Sequence, residues 1–310
     1  TAQAVQLGYI PRLSIKHTAE GEKGQIYIPI VNTALMAGVI GLIIGMQSSS
    51  KLASAYGIAV TGTMAIDTIL AFVVFMNLWR WNPIGSGFLA FLILSVDLAF
   101  LGANLPKIAD GGWFPLVIGL LVFTLLRTWK RGRELVMDKL QEDAMPVGEF
   151  FAQIDKNPPA RVSGTAVYLA SNRQGIPASL LNNLKHNKVL HHNVIIMTVL
   201  TESIPRVAPE RRREVINLGD CLYRVNLHYG FAETPNIPRV LRTSSREFTI
   251  NPADTYYFLN RETLIARHST KMALWRIRLF IVMARNAGSA ANYFQIPSER
   301  VVELGTQVVI

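Results

Sequence analysis

The stretch from Lys51 to Trp79, KLASAYGIAVTGTMAIDTILAFVVFMNLW, is dominated by apolar residues and carries one charge between Lys51 and Arg80, Asp67. A hydrocarbon core about 30 Å thick is crossed by roughly 20 apolar helical residues, so this stretch is long enough to span a bilayer. An amphipathic helix would show a polar face recurring every three to four residues. None is visible, which favours a spanning helix over one buried in a soluble core. Ala53, Ala55, Gly57, Ala59 and Gly62 crowd its first half, and small residues there let a second helix approach closely.

Three more apolar runs surround it, and the pattern predicts four spanning helices over 26–46, 52–79, 85–105 and 112–129. The first carries Gly41 and Gly45 at helix-contact spacing. The last is the shortest and reaches spanning length if Arg127 snorkels and Trp129 sits in the interfacial belt. Residues 1–25 read as the polar end of a preceding transmembrane helix followed by a cytoplasmic loop, and 130–148 as a linker.

From Glu149 the period changes, and 149–310 reads as an α/β domain. Strands are expected over Ala166–Ala170 and Val194–Leu200, with a helix over Ala178–Val189 between them, which is the order of a βαβ unit in a parallel sheet. Glu214–Gly219 and Leu222–Tyr229 read as a strand pair and Ile237–Arg242 as a short helix. Thr255–Phe258 and Leu264–Ala266 read as strands on either side of Asn260-Arg261-Glu262. Lys271–Asn286 is a helix, and Val301–Ile310 the last strand.

Charge sharpens the division. From Ile26 to Leu126 only Lys51, Asp67, Arg80, Asp97, Lys107 and Asp110 are charged. Up to Met145 there are 11 basic and 9 acidic residues, net +2; beyond it 20 and 12, net +8. The basic half is read as a cytosolic domain beside an anionic leaflet, with no nucleic-acid partner. Basic residues of the short loops place both ends of the membrane half on the cytoplasmic side. Cys221 is the single cysteine, so no intrachain disulfide forms, and the His/Cys spacing of a zinc site is missing. No nucleophile–base pair and no enzyme motif is found, so no catalysis and no cofactor is expected.

LGYIPRLSIKHT (7–18), GQIYIPIVN (24–32), SSSKLASAYGIAVTGTM (48–64), DLAFLGANLPKI (97–108), GGWFPL (111–116) and the terminal VVELGTQVVI (301–310) together resemble the Kup/HAK/KT family of potassium-uptake transporters. The resemblance runs the length of the chain. It implies a multi-pass permease of the cell membrane, in bacteria the inner membrane, carrying K+ with H+ as symport partner. It also implies a LeuT-like (APC) core of two inverted five-helix repeats and a cytosolic C-terminal α/β domain. On that map the chain is the C-terminal part of a longer protein. It supplies helices nine to twelve and the tail, and its partners are potassium, the lipid bilayer, the missing N-terminal helices and a second copy in a homodimer. Family ion-site residues lie on helices one, three, six and eight, so none is assignable to a numbered position here.

Four polar residues of the apolar runs remain as candidates for an intramembrane or proton-linked role. Asp67 is either a proton carrier or a carboxyl satisfied within the bundle or its interface. Asp97, Asn104 and Lys107 share one helical face and read as a polar network. Tyr56, Thr61 and Thr63 offer hydroxyls of the kind that line a potassium path, or ordinary interhelical hydrogen bonds. In the α/β half, Ser171, Asn172, Arg173 and Gly175 turn from a strand into a helix and could aim backbone N–H groups at an anion or nucleotide. That gives an alternative role for the tail as a ligand-sensing module, and a further alternative is a membrane adaptor without transport. Arg211-Arg212-Arg213 reads as a solvated turn, with a phosphate or lipid headgroup site as the alternative, and His191-His192 as surface or core residues, not metal ligands.

Overall fold

The computed structural model describes residues 2–13, 16–17, 26–142, 144–171, 174–242, 250–267 and 271–310. They form two compact units, Ile15–Leu125 and a second made of Thr1–Ser14 with Leu126–Ile310.

The chain begins with α1 (Ala2–Gln6), then the short antiparallel strands β1 (Lys16–His17) and β2 (Ile26–Tyr27). Next come α2 (Pro29–Met46), α3 (Ser49–Asn77), α4 (Pro83–Asn104) and α5 (Trp113–Glu142). Among the described residues, four helices are long and apolar enough to cross a membrane. Their ends follow local chemistry. Pro29 and Pro83 sit in first turns, where a missing N–H costs nothing. The Asn82 side chain accepts from the Ile84 N–H, and Gln47 closes α2 in a left-handed conformation. At the end of α3, Phe75 of its last turn stacks on Trp81 at 4.8 Å and Trp79 leans on both, an aromatic cluster suited to an interfacial belt.

The stretch 130–148 differs from the linker expected there. Helix α5 runs on to Glu142, and α6 (Val147–Lys156) begins five residues later. The physical reason is a change of pattern within one helix. After Leu126 the apolar residues Trp129, Leu135 and Val136 recur at helical spacing and are buried, so the helix continues as an amphipathic one.

The rest is β3 (Ala160–Ala170), α7 (Ala178–Asn187), β4 (Val189–Glu202), β5 (Arg213–Gly219), β6 (Leu222–Gly230), α8 (Ile237–Arg242), β7 (Thr255–Ile265), α9 (Leu274–Arg285), α10 (Ala290–Tyr293) and β8 (Val301–Val309). They build one six-stranded sheet of order β5-β6-β4-β3-β7-β8. All neighbours are parallel except the edge pair β5–β6. That pair turns through Asp220 and Cys221, both at positive φ, as a tight hairpin requires. The 255–266 region is one strand, not two: β7 pairs with β8 without a break from Tyr257 to Ile265. Asn260 and Glu262 look like turn residues, but the Asn260 side chain accepts from Thr306 of β8 and that of Glu262 from Arg133 of α5.

A parallel sheet needs both faces covered. Strand alternation sends Ala166, Tyr168, Val194 and Ile196 to one face, against Phe150 and Ile154 of α6 and Leu180 of α7. Val167, Ile195, Met197 and Val225 go to the other, against Ile237 and Leu241 of α8 and Ala291 of α10. A third cluster joins Trp129, Leu135 and Val136 of α5 to Ile277, Phe280 and Ile281 of α9 and to Val308. Tyr168 is wholly buried, yet its hydroxyl accepts from Asn183 Nδ2 at 3.0 Å.

Candidate functional site

In the membrane unit the polar chemistry gathers where α3 and α4 pack together. Asp97 on α4 is only 3% exposed, and its Oδ2 accepts from Thr68 Oγ1 of α3 at 2.5 Å. A carboxyl amid apolar helices is costly unless a donor meets it, and Thr68 is that donor. The sequence reading missed Thr68. The only signal for it was a hydroxyl one residue after Asp67 in an otherwise apolar run. Asp67 itself is exposed in this unit, about 100° around the helix from Thr68.

Asn104 and Lys107 do meet: Lys107 Nζ donates to Asn104 Oδ1 at 3.0 Å. Asn104 Nδ2 in turn donates to the Phe100 carbonyl. The structure does not join this pair to Asp97, whose described bond runs to α3 instead. Asn104 lies close against α3 because Gly57 leaves room; a Cβ on Gly57 would fall 2.8 Å from Asn104 Oδ1. The small-residue half of α3 is thus a contact face at Gly57, whereas nothing lies within 4 Å of a Cβ built on Gly62. The same is true of Gly41 and Gly45 on α2.

Thr61 is buried and Thr63 exposed, and each hydroxyl donates to a carbonyl one turn back, Gly57 and Ala59, at 2.7 and 2.8 Å. Their oxygens keep lone pairs free to accept. Tyr56 is 71% exposed. These three side chains are not brought together with Asp97.

In the α/β unit, Asn172 and Arg173 lie outside the described residues. Ser171 is exposed. Gly175 takes φ +76 with Ala144 and Met145 against it, and the Ile176 N–H bonds the Met145 carbonyl at 2.8 Å. Arg224 of β6, 4% exposed, donates from Nη2 to the Gly175 carbonyl at 2.6 Å. Burial lowers the Arg224 pKa. The turn is therefore braced by Arg224 and Met145. Pro177 precedes α7 and gives it no side-chain cap.

Arg212 is not the solvated residue expected in the 211–213 run. It pairs with Glu233, donates to the Val207 carbonyl at 2.9 Å and lies 5.1 Å from the Tyr229 ring. Burial works to raise the Glu233 pKa, but the N–H groups of Gly230 and Val207 together with Arg212 outweigh it, and the carboxyl is held below its usual range. From the other end of the chain, Gln6 Nε2 donates to the Glu233 carbonyl at 2.8 Å.

A second polar line runs along the end of the sheet. Asn182 donates to Thr306, which donates to Asn260 at 2.6 Å, and Arg133 of α5 pairs with Glu262 at 3.2 Å. His191 is packed edge-on to Phe258 at 5.7 Å, and burial lowers its pKa; His192 is exposed. Among the described residues no group of three or more His, Cys, Asp or Glu is placed to hold a metal.

Residues 1–134 match the family described as the K+ potassium transporter integral membrane domain, and residues 163–310 the K+ potassium transporter C-terminal domain. The chain is 51% identical over 309 residues to a "Probable potassium transport system protein Kup" of Azoarcus sp. (strain BH72), covering 99% of this chain and 48% of that protein. It is 49% identical over 312 residues to the Kup protein of Pseudomonas paraeruginosa (strain PA7), covering 100% and 49%. The chain thus spans about half the length of the curated relatives it matches. With both domain families matched in order and Kup relatives aligned from end to end, the chain belongs to the Kup family of potassium transporters.

Proposed function

We propose that this chain works as part of a permease that takes potassium up across the cell membrane, in symport with protons. The observation that carries the reading is the 51% identity to a Kup potassium transport protein along 99% of this chain. In this reading the four apolar helices belong to a LeuT-like core of inverted repeats, completed by helices from the remainder of the protein. Basic residues at the ends of the membrane half favour a cytoplasmic α/β unit, and in a bacterium the membrane is the inner one. The protein moves ions and makes or breaks no covalent bond.

Within that reading, Asp97 with Thr68 is a polar link that fixes α3 to α4, and Asn104, about two turns further along α4, is held by Lys107 just beyond the end of that helix. Asp67 is the candidate for proton linkage, since a carboxyl exposed in this unit can meet water or another helix. Tyr56, Thr61 and Thr63 are the candidate lining hydroxyls. The test is rubidium uptake into vesicles holding the full-length protein, with and without an imposed proton gradient. Uptake that a protonophore abolishes is expected. No uptake overturns the transport reading, and uptake indifferent to the protonophore overturns proton coupling.

A further inference from the structure

Helix α9, LWRIRLFIVMAR, buries Ile277, Phe280 and Ile281 against α5. Its opposite side carries Trp275, Arg278, Val282 and Arg285, a spacing that lines one helical face. All four are exposed, Trp275 by 59% and Val282 by 55%. Tryptophan and arginine on one exposed stripe are the composition of a helix that meets a membrane surface: the indole favours the headgroup region and arginine pairs with phosphate.

The place of α9 on α5 gives this stripe a neighbour. The apolar run of α5 ends at Leu126, and exposed Arg127 follows. Two residues beyond Leu126, Thr128 Oγ1 accepts from Arg276 Nε at 3.1 Å. Trp129 meets Phe280 at 5.3 Å, and the Phe280 ring lies over Gly132, where any Cβ would collide with it. One helical turn rises about 5.4 Å, and the headgroup zone adds about 5–8 Å to each side of the hydrocarbon. The first turn of α9 therefore stands at headgroup depth wherever α5 leaves the bilayer at the end of its apolar run.

We propose that Trp275 and Arg278 of α9 form a binding surface for anionic phospholipid headgroups of the leaflet from which α5 emerges. The occupant follows from charge: a guanidinium group beside an indole N–H suits a phosphate diester bearing net negative charge. The inference rests on α5 spanning the membrane and is independent of whether the protein carries potassium.

The test uses the native residue. The full-length protein and its Trp275→Phe variant are placed in phosphatidylcholine vesicles with acyl chains brominated near the headgroup, with and without phosphatidylglycerol. The difference between the two emission spectra isolates Trp275. That difference emission should be quenched by the bromines, more strongly with phosphatidylglycerol. In an Arg278→Gln background the phosphatidylglycerol content giving half the quenching should rise about fivefold, as expected for about 1 kcal/mol per surface arginine. Trp275 emission that is unquenched and water-like overturns the proposal. So does emission that is unquenched and blue-shifted, which would mean another protein segment covers the face. Quenching indifferent to phosphatidylglycerol or to Arg278 overturns the anionic-headgroup assignment.

Discussion

The guanidinium of Arg12 lies 5.2 Å from the ring centroid of Tyr293, and equally far from that of Phe294, while the Arg12 carbonyl accepts from the Gly288 N–H at 2.6 Å. Segment 2–13 is thus an integral piece of the α/β unit, with Tyr9 against Lys130 and Gln6 at Glu233 as its other anchors. Burial and the nearby Arg133 lower the Arg12 pKa, partly opposed by Tyr293 and Glu262. Arg12→Ala should cost about 1–2 kcal/mol through the lost stacking of a desolvated cation. Hydrogen exchange would show it as faster exchange of the Gly288 amide. Arg12→Lys should recover less than half, because an ammonium does not stack as a planar guanidinium does. An unchanged Gly288 amide in Arg12→Ala would contradict this account.

The Thr68–Asp97 hydrogen bond should matter more to folding than to ion affinity. Thr68→Val keeps the shape, removes the donor and leaves a buried carboxyl unmet, a loss of about 1–3 kcal/mol. Asp97→Asn should lower expression or thermal stability more than the apparent affinity for potassium in the full-length protein. A well-folded Asp97→Asn protein with a large affinity loss would instead put Asp97 in the ion path.

At the Gly57–Asn104 contact an added methyl displaces the Asn104 carboxamide, which then gives up its bonds to Lys107 and the Phe100 carbonyl. Gly57→Ala should destabilise by about 1–3 kcal/mol through overpacking, and Asn104→Ala in the same protein should return part of that loss. Thermal unfolding of the single and double variants measures the coupling. Strictly additive losses would mean that the two side chains do not share the space.

Glu233 links stability to acid. Its folded pKa lies below the ordinary value of 4.5, so its stabilisation is complete above that value and is lost as pH falls through the folded one. His191 acts in the same direction at a milder pH. Burial holds its pKa below 6.5, so the unfolded chain takes up a proton first as pH drops and gains on the folded state. Chemical denaturation of the full-length protein should show stability falling from about pH 6 downward. The loss near pH 4 should shrink in Glu233→Gln and the earlier one in His191→Phe. A slope unchanged in both variants would assign the acid sensitivity to other groups.

The four apolar helices were legible because a long run with few charges has few other meanings, and the βαβ order because β-branched runs flank a helical pattern. What escaped reading depended on distant partners. Asn260-Arg261-Glu262 resembles a turn until Thr306 and Arg133 are seen to meet Asn260 and Glu262. The amphipathic second half of α5 resembles a linker because its buried stripe is sparse and the surface that covers it, α9, comes more than 130 residues later. Arg212 looks solvated until Glu233 is placed beside it. Thr68 could not be ranked above the other hydroxyls of α3 without knowing which of them faces Asp97.

The central place of β3 dictates an order of assembly. Its partner on one side, β4, follows closely in sequence, but on the other side Thr165 pairs with Thr255, about 90 residues later. At about 5–20 residues per second, a ribosome leaves that flank of β3 open for several seconds, with the apolar Val167 and Tyr168 beside an unpaired backbone. A chaperone, or the crowded neighbourhood of a polysome, meets the nascent protein at that edge, and the interval closes only when β7 arrives.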